Sequence, residues 1–183
     1  MDELSLHIID IVQNSISAKA NLIEMIIFED SKNDYITIEI KDNGIGIEKG
    51  ILEKVQDSFY TTKSGKEVGF GIPLFKQIAL LCDGEFKIES KENFGTRIYA
   101  KFRKSHPNLS PIGDLENSFL ILIIACACDF YIYYNKDGKI FEFDTKKIKN
   151  FLGDVPLSHP EVIKFLKSYF YENFEKMEAN CES

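Results

Sequence analysis

The chain has 183 residues, 44% of them hydrophobic and 28% charged, with a formal net charge of −7, which is the balance of a globular protein and excludes a disordered tail or a collagenous chain. Residues 1–103 carry 13 basic and 17 acidic side chains and the remainder 9 and 12, so neither half is a basic arm, and nucleic acid or an anionic membrane surface is excluded as the main partner. The longest apolar run, Phe119 to Cys128, falls far short of the roughly 20 residues that a bilayer-spanning helix needs.

Between Asp2 and Ala20, Leu4, Ile8, Ile11, Val12 and Ile16 recur at helical spacing and predict an amphipathic helix. LIEMIIFED and YITIEIKD follow, rich in Ile and aromatic residues and separated by the turn composition SKND, and read as a hairpin. KDNGIGI then breaks regularity. A short helix around Glu48 to Val55 leads into DSFYTTKSGKEVGFG, whose small residues and glycines read as a loop. A helix from Ile72 to Leu81 stops at Cys82-Asp83-Gly84, and EFKIES, KENFG and TRIYAKF form a second hairpin. Residues 1–103 therefore read as one α+β unit.

SHPNLSPIGD reads as a connector into an α+β annex covering residues 104–183. There, Asp114 is placed to cap a helix carrying the apolar run, and DFYIYY and KIFEF flank the turn signal NKDG. Phe130, Tyr131, Tyr133, Tyr134, Phe141 and Phe143 alternate as in a strand pair with one buried face. Ser158 and Glu161 make a capping box for a last helix from His159 to about Met177. Cys82, Cys126, Cys128 and Cys181 show no C-x-x-C spacing, so neither a zinc site nor a disulfide is expected, and Cys126 and Cys128 read as small core residues. MDELSLHIID lacks the basic start, apolar stretch and cleavage site of a signal peptide, which makes the cytoplasm the expected compartment.

Four local patterns carry chemistry. Asp42, Gly44 and Gly46 follow the second strand: the glycines let backbone approach a ligand, and a carboxylate held there accepts from an exocyclic amine such as that of adenine. Asp10 and Asn14, four apart, share one helix face, where an amide oxygen suits a hard cation such as Mg²⁺ and the carboxylate can orient or deprotonate a water. Gly69 and Gly71 enter a helix N-terminus behind Lys63 and Lys66, an arrangement that favours phosphate oxygens. Thr96 opens the last strand of the unit, with a hydroxyl for the same pocket. Each pattern alone also fits an ordinary turn or solvated helix face.

In this order the patterns resemble the GHKL ATP-binding superfamily, which includes gyrase B, the ninety-kilodalton heat-shock chaperones, MutL and the catalytic domains of histidine kinases. DIVQNSISAKA resembles the N box, IKDNGIGI the first glycine box, DSFYTTK the aromatic box of the kinase branch, VGFGIPLFKQIA the second glycine box and GTRIYAKF the last. The resemblance covers roughly residues 1–103 and implies a two-layer α/β sandwich of the Bergerat type, with ATP held between helices and lid. It assigns Mg²⁺ to Asn14, the adenine amine to Asp42, the base pocket to Gly44 and Gly46, the triphosphate to Gly69 and Gly71, and the adenine side to Thr96. Lys63 and Lys66 become phosphate contacts in the lid, and Asp10 the catalytic carboxylate.

Asp10 is one methylene shorter than the glutamate usual in the hydrolysing branches, so ATP hydrolysis does not carry over with the resemblance. Ser58 stands where the aromatic box usually has proline. The sequence opens within a few residues of the N box, without a preceding helical hairpin that bears a phosphorylatable histidine, and its layout is similar to the anti-sigma-factor kinases and to small bacterial ATP-binding proteins. His7 reads as an ordinary helix histidine rather than a phospho-acceptor, and His106 and His159, beside prolines, as structural or exposed. Two functions follow: a stand-alone kinase-type domain that passes phosphate from Mg·ATP to a partner protein, or a nucleotide-gated module that binds and releases a partner with little catalysis.

Overall fold

The computed structural model describes residues 3–56 and 71–179. The aromatic box, the loop around it, Lys63, Lys66, Gly69 and Cys181 lie outside the described residues. The elements in chain order are α1 (Leu4–Ser17), β1 (Leu22–Asp30), β2 (Tyr35–Asp42), α2 (Lys49–Leu52), a 3₁₀ turn (Lys54–Gln56), α3 (Gly71–Leu81), β3 (Glu85–Lys91), β4 (Gly95–Arg103), α4 (Leu115–Ala125), β5 (Asp129–Lys136), β6 (Lys139–Asp144), α5 (Thr145–Leu152) and α6 (Pro160–Glu178).

The six strands form one mixed sheet in the order β3-β4-β2-β1-β5-β6. Strict alternation in β1 and β2 sends Ile23, Met25, Ile27, Ile36, Ile38 and Ile40 to one face, where all are buried. Helices α3, α1, α4 and α6 lie side by side over that face. Glu24, Ile26, Phe28, Tyr131 and Tyr133 point to the opposite, half-exposed face. The hairpin of the C-terminal segment does not make a sheet of its own. Its first strand, β5, pairs in parallel with β1, from Leu22 opposite Asp129 to Glu29 opposite Lys136. A parallel neighbour needs a long crossover, and residues 104–128, including α4, supply it.

The same segment anchors α1. The helix has no side-chain cap at its start; instead the Leu4 and Ser5 N–H groups donate to the carbonyls of Pro111 and Ile112 at 3.0 and 2.9 Å, satisfying donors that a helix start leaves open. Toward the far edge, Phe141 and Phe143 of β6 and Phe170 and Phe174 of α6 pack edge-on, with centroids 4.9–5.0 Å apart for Phe141–Phe170, Phe143–Phe170 and Phe141–Phe174. Burying one such ring contributes about 2–3 kcal/mol.

Two local expectations are corrected and one helix is added. The cap of α6 is His159, whose Nδ1 accepts from the Glu161 N–H at 3.3 Å, not Ser158; Pro160 suits the first helical position, which puts the cap one residue before it. Helix α5 was not expected: Asp144 ends β6 and at once caps α5 by accepting from the Lys146 N–H. Cys126 and Cys128 are bonded to each other rather than lying apart in the core. Cys126 leaves α4 in extended backbone, where residues i and i+2 share a face, and the two Cα atoms are 5.4 Å apart, inside the range that a disulfide spans. Among the described residues no helix is long and apolar enough to cross a membrane, and no cluster of three or more metal-ligating side chains occurs.

Candidate nucleotide site

The site forms at the end of the sheet where β2 finishes and β4 begins. Asp42 is the last residue of β2 and continues the helix-facing row of Ile36, Ile38 and Ile40, which leaves it 8% exposed. Its carboxylate is held by three donors. Ser15 Oγ, from α1, donates to Oδ2 at 2.7 Å. The backbone N–H groups of Gly44 and Thr96 donate to Oδ1 at 2.8 and 3.3 Å. A carboxylate oxygen accepts about two hydrogen bonds, so Oδ1 is filled and Oδ2 retains room for one more donor. A buried acceptor fixed in this way favours a ligand N–H, as on an exocyclic amine.

Two glycines make the turn after Asp42 possible. A Cβ on Gly44 would lie 2.6 Å from the Ala18 carbonyl oxygen at the end of α1, and Gly46 has φ +68° with the Lys91 carbonyl 2.2 Å from where its Cβ would stand. The loop is tied on three sides. Ile45 N–H donates to the Ala18 carbonyl at 2.9 Å, and Asn93 N–H to the Ile45 carbonyl at 2.7 Å. The Asn43 amide pairs with Asn21: its Oδ1 accepts from the N–H groups of Asn21 and Leu22, both at 3.0 Å, and its Nδ2 donates to Asn21 Oδ1 at 2.7 Å.

Asp10 and Asn14 lie one turn apart on the α1 face that meets the start of α3. A Cβ on Gly71 would stand 3.3 Å from Asp10 Cβ and 3.7 Å from Asn14 Nδ2, so the N-terminus of α3 opens beside both side chains. The dipole of α3 favours an anion there. Among the described residues neither Asp10 nor Asn14 has a side-chain hydrogen-bond partner. The Asn14 amide oxygen is the kind of hard, neutral donor that Mg²⁺ takes alongside phosphate oxygens and water, and the residues present therefore fit Mg²⁺ with a phosphate chain.

The structure thus gathers Asp42, Gly44, Gly46 and Thr96 at one end of the site and Asp10, Asn14 and Gly71 at the other, with Ser15 linking the two. Lys63, Lys66 and Gly69 fall outside the described residues. His7 points elsewhere: it is 4% exposed, its ring centroid is 6.3 Å from that of Phe75, and neither ring nitrogen has a hydrogen-bond partner among the described residues. Sequence reasoning missed Ser15, Asn21, Asn43 and Ser90. Ser15 carried a signal, since it is buried on the sheet-facing side of α1, in helical phase with Ile8, Ile11 and Val12, where a polar residue needs a partner.

Residues 2–106 match the family described as histidine kinase-, DNA gyrase B-, and HSP90-like ATPase. Among the curated relatives, a probable C4-dicarboxylate sensor kinase of Halalkalibacterium halodurans is 34% identical over 70 residues, 38% of this chain and 13% of that protein. The sensor kinase CckA of Brucella abortus is 36% identical over 110 residues, 50% of this chain and 11% of its own. Sporulation kinase C of Bacillus subtilis is 33% identical over 88 residues, 48% and 20% respectively. The chain thus matches a fifth or less of the length of these three relatives. With more than half of its residues inside the family match, and with the site geometry above, the chain belongs to the histidine kinase-, DNA gyrase B- and HSP90-like ATPase family and carries an ATP-binding domain of the kinase type.

Proposed function

We propose that this protein holds Mg·ATP between α1, the β2 and β4 strand ends and the N-terminus of α3, and passes the γ-phosphoryl group to a residue of a partner protein. The observation that carries this reading is the division of the site: an acceptor fixed by three donors at one end, Asp42, and, beside a helix N-terminus at the other, an amide and a carboxylate without a side-chain partner among the described residues. The first suits the base and the second a charged phosphate chain. In phosphoryl transfer the protein mainly positions groups and offsets charge. Asn14 would hold Mg²⁺, which when bound neutralises charge on the phosphate oxygens. Asp10, one turn from Asn14, is assigned to take or orient the proton of the attacking group, and Gly69, Gly71, Lys63 and Lys66 are assigned to the phosphates. The acceptor atom bonds to the γ-phosphorus as the bond to the ADP oxygen breaks.

A second reading, the nucleotide-gated module, is favoured by one connection. The Asp129 N–H at the start of β5 donates to the Asn21 carbonyl at 2.8 Å, and Asn21 is paired with Asn43 in the glycine loop, so the loop and the C-terminal segment share one hydrogen-bonded path. Calorimetric titration with ATP and Mg²⁺, followed by incubation of the same sample with γ-labelled ATP, separates the two. Label on a partner or acceptor protein supports the kinase. Tight binding with no label transferred or released supports the gated module, and no binding at all removes both.

A further inference from the structure

We infer that Ser90 is a specificity-determining positioning residue of the nucleotide site: it takes the hydroxyl proton of Thr96 and so leaves Thr96 facing the base only as an acceptor. The inference rests on the ATP-binding reading of this pocket.

Asp42, Thr96 and Ser90 stand in one row across β2, β4 and β3. The β2–β4 pairing runs to Lys41 opposite Arg97, one residue short of Asp42 and Thr96, and Thr96 is opposite Ser90 in the β3–β4 pair. All three side chains share the helix-facing side of the sheet.

The proton count at Ser90 is fixed by its neighbours. Its Oγ has three: the Ile47 N–H at 2.8 Å, the Gly95 carbonyl oxygen at 3.0 Å and Thr96 Oγ1 at 2.8 Å. Ile47 can only donate and the Gly95 carbonyl can only accept. A hydroxyl has one proton and two acceptor positions. If the Ser90 proton went to Thr96, two bare oxygens would face each other across 3.0 Å at Gly95. The arrangement that satisfies every group sends the Ser90 proton to Gly95 and the Thr96 proton to Ser90. Thr96 Oγ1 then offers lone pairs alone, beside an Asp42 that also only accepts. A wall of acceptors welcomes the two N–H groups of a 6-amino purine and opposes the carbonyl of a 6-oxo purine, because oxygen would meet oxygen in a partly desolvated pocket. Without Ser90 the Thr96 hydroxyl is free to rotate and donate to a 6-oxo group.

ATP and inosine triphosphate share sugar and phosphates and differ only along one edge of the purine, in the group on C6 and the proton on N1, so the ratio of their affinities reads the donors and acceptors that face that edge while the rest of the molecule cancels. The test is calorimetric titration of the full chain, in Mg²⁺, with each nucleotide. The parent prefers ATP. In Ser90→Ala the preference falls about tenfold, one mispaired hydrogen bond, beyond any weakening common to both nucleotides through loss of the Ile47 tie. Ser90→Thr, which restores the hydroxyl on a strand, keeps the parent ratio. Ser90→Cys, which keeps volume but accepts hydrogen bonds weakly, shifts the ratio as alanine does and serves should the alanine variant not fold. In a Thr96→Val background the Ser90 change leaves the ratio where Thr96→Val put it. Equal weakening of both nucleotides in Ser90→Ala and Ser90→Cys would overturn the assignment and leave Ser90 as a strut. A parent that binds no ATP would overturn the nucleotide reading and this one with it.

Discussion

The two ends of β1 each hold a buried carboxylate within a polar cluster, Glu29 at one end and Asp42 beside the other, and the clusters differ in one respect. At the far end, Glu29 is 6% exposed, and its carboxylate accepts from the Tyr134 hydroxyl and pairs with Lys104 Nζ at 3.1 Å. Lys104 also donates to Ser31 Oγ at 2.8 Å, and Ser31 gives its hydroxyl and its N–H to Asp137, both at 2.7 Å. Burial, with Glu29 beside it, pushes the Tyr134 hydroxyl far above its ordinary value, so the proton stays on the tyrosine. Each of these side chains has a partner within the network. At the near end Asp42 keeps one acceptor position open, and Asp10 and Asn14 have no partner among the described residues. A closed cluster is a staple; an open one is prepared for a ligand.

The strongest test cuts the closed cluster. Glu29→Ala leaves Tyr134 and Lys104 without their acceptor and is expected to cost about 3 kcal/mol of stability, measured by denaturant titration, while ATP affinity stays at the parent value. A matching loss of affinity would show that the two ends are not separable. Next comes Asp42→Asn. Ser15 can rotate to accept from the new amide, so the melting temperature holds, but the amide turns a donor toward the donors of the base, and ATP affinity drops roughly a hundredfold by calorimetry. Unchanged affinity would remove Asp42 from the base pocket.

His7 tests the comparison hardest, being buried and without a hydrogen-bond partner among the described residues, yet turned toward Phe75. If it is merely an uncompensated polar group, His7→Leu raises stability by about 1 kcal/mol and leaves nucleotide affinity alone; a loss of affinity would extend the open cluster one turn down α1. The smallest effect concerns acid. Hydrogen bonds from Ser31, side chain first and backbone second, hold the Asp137 carboxyl below its usual 3.8. A depressed carboxyl adds stability above its unfolded value that is lost as pH falls through the lower folded value. Asp137→Asn, tolerated at φ +53°, should therefore flatten the decline in melting temperature below about pH 4 without altering nucleotide binding.

Much of the first hundred residues was legible because local rules decide it. The period-2 pattern of LIEMIIFED and the turn residues SKND mark β1 and its hairpin to the residue, and D-x-G-x-G declares a close approach at Gly44 and Gly46 that the backbone contacts explain. What stayed hidden depends on partners distant in sequence. Nothing in DFYIYYNK states that it will lie parallel to β1, because register between remote strands is settled by packing rather than by either strand's own pattern. Ser15 and Ser90 look like fillers of a helix and a strand until the groups that share their protons are placed around them. The bond between Cys126 and Cys128 turned on a single residue leaving helical geometry.

The parallel pairing of β1 with β5 also sets a schedule for making the protein. Leu22 leaves the ribosome roughly a hundred residues before its partner Asp129, an interval of about 5–20 seconds at ordinary rates of synthesis. Through that interval β1 has β2 on one side and a bare row of N–H and C=O groups on the other, the condition in which strand edges find the wrong partner. The Pro111 and Ile112 carbonyls that hold the start of α1 also emerge late. The proposed nucleotide pocket, whose residues assigned to the base all precede residue 100, can thus be fully synthesised while the sheet that supports it is still open along one side. A nascent chain paused there would be the form most in need of a chaperone, and the closing of that edge by β5 would be the slow, non-local step of folding.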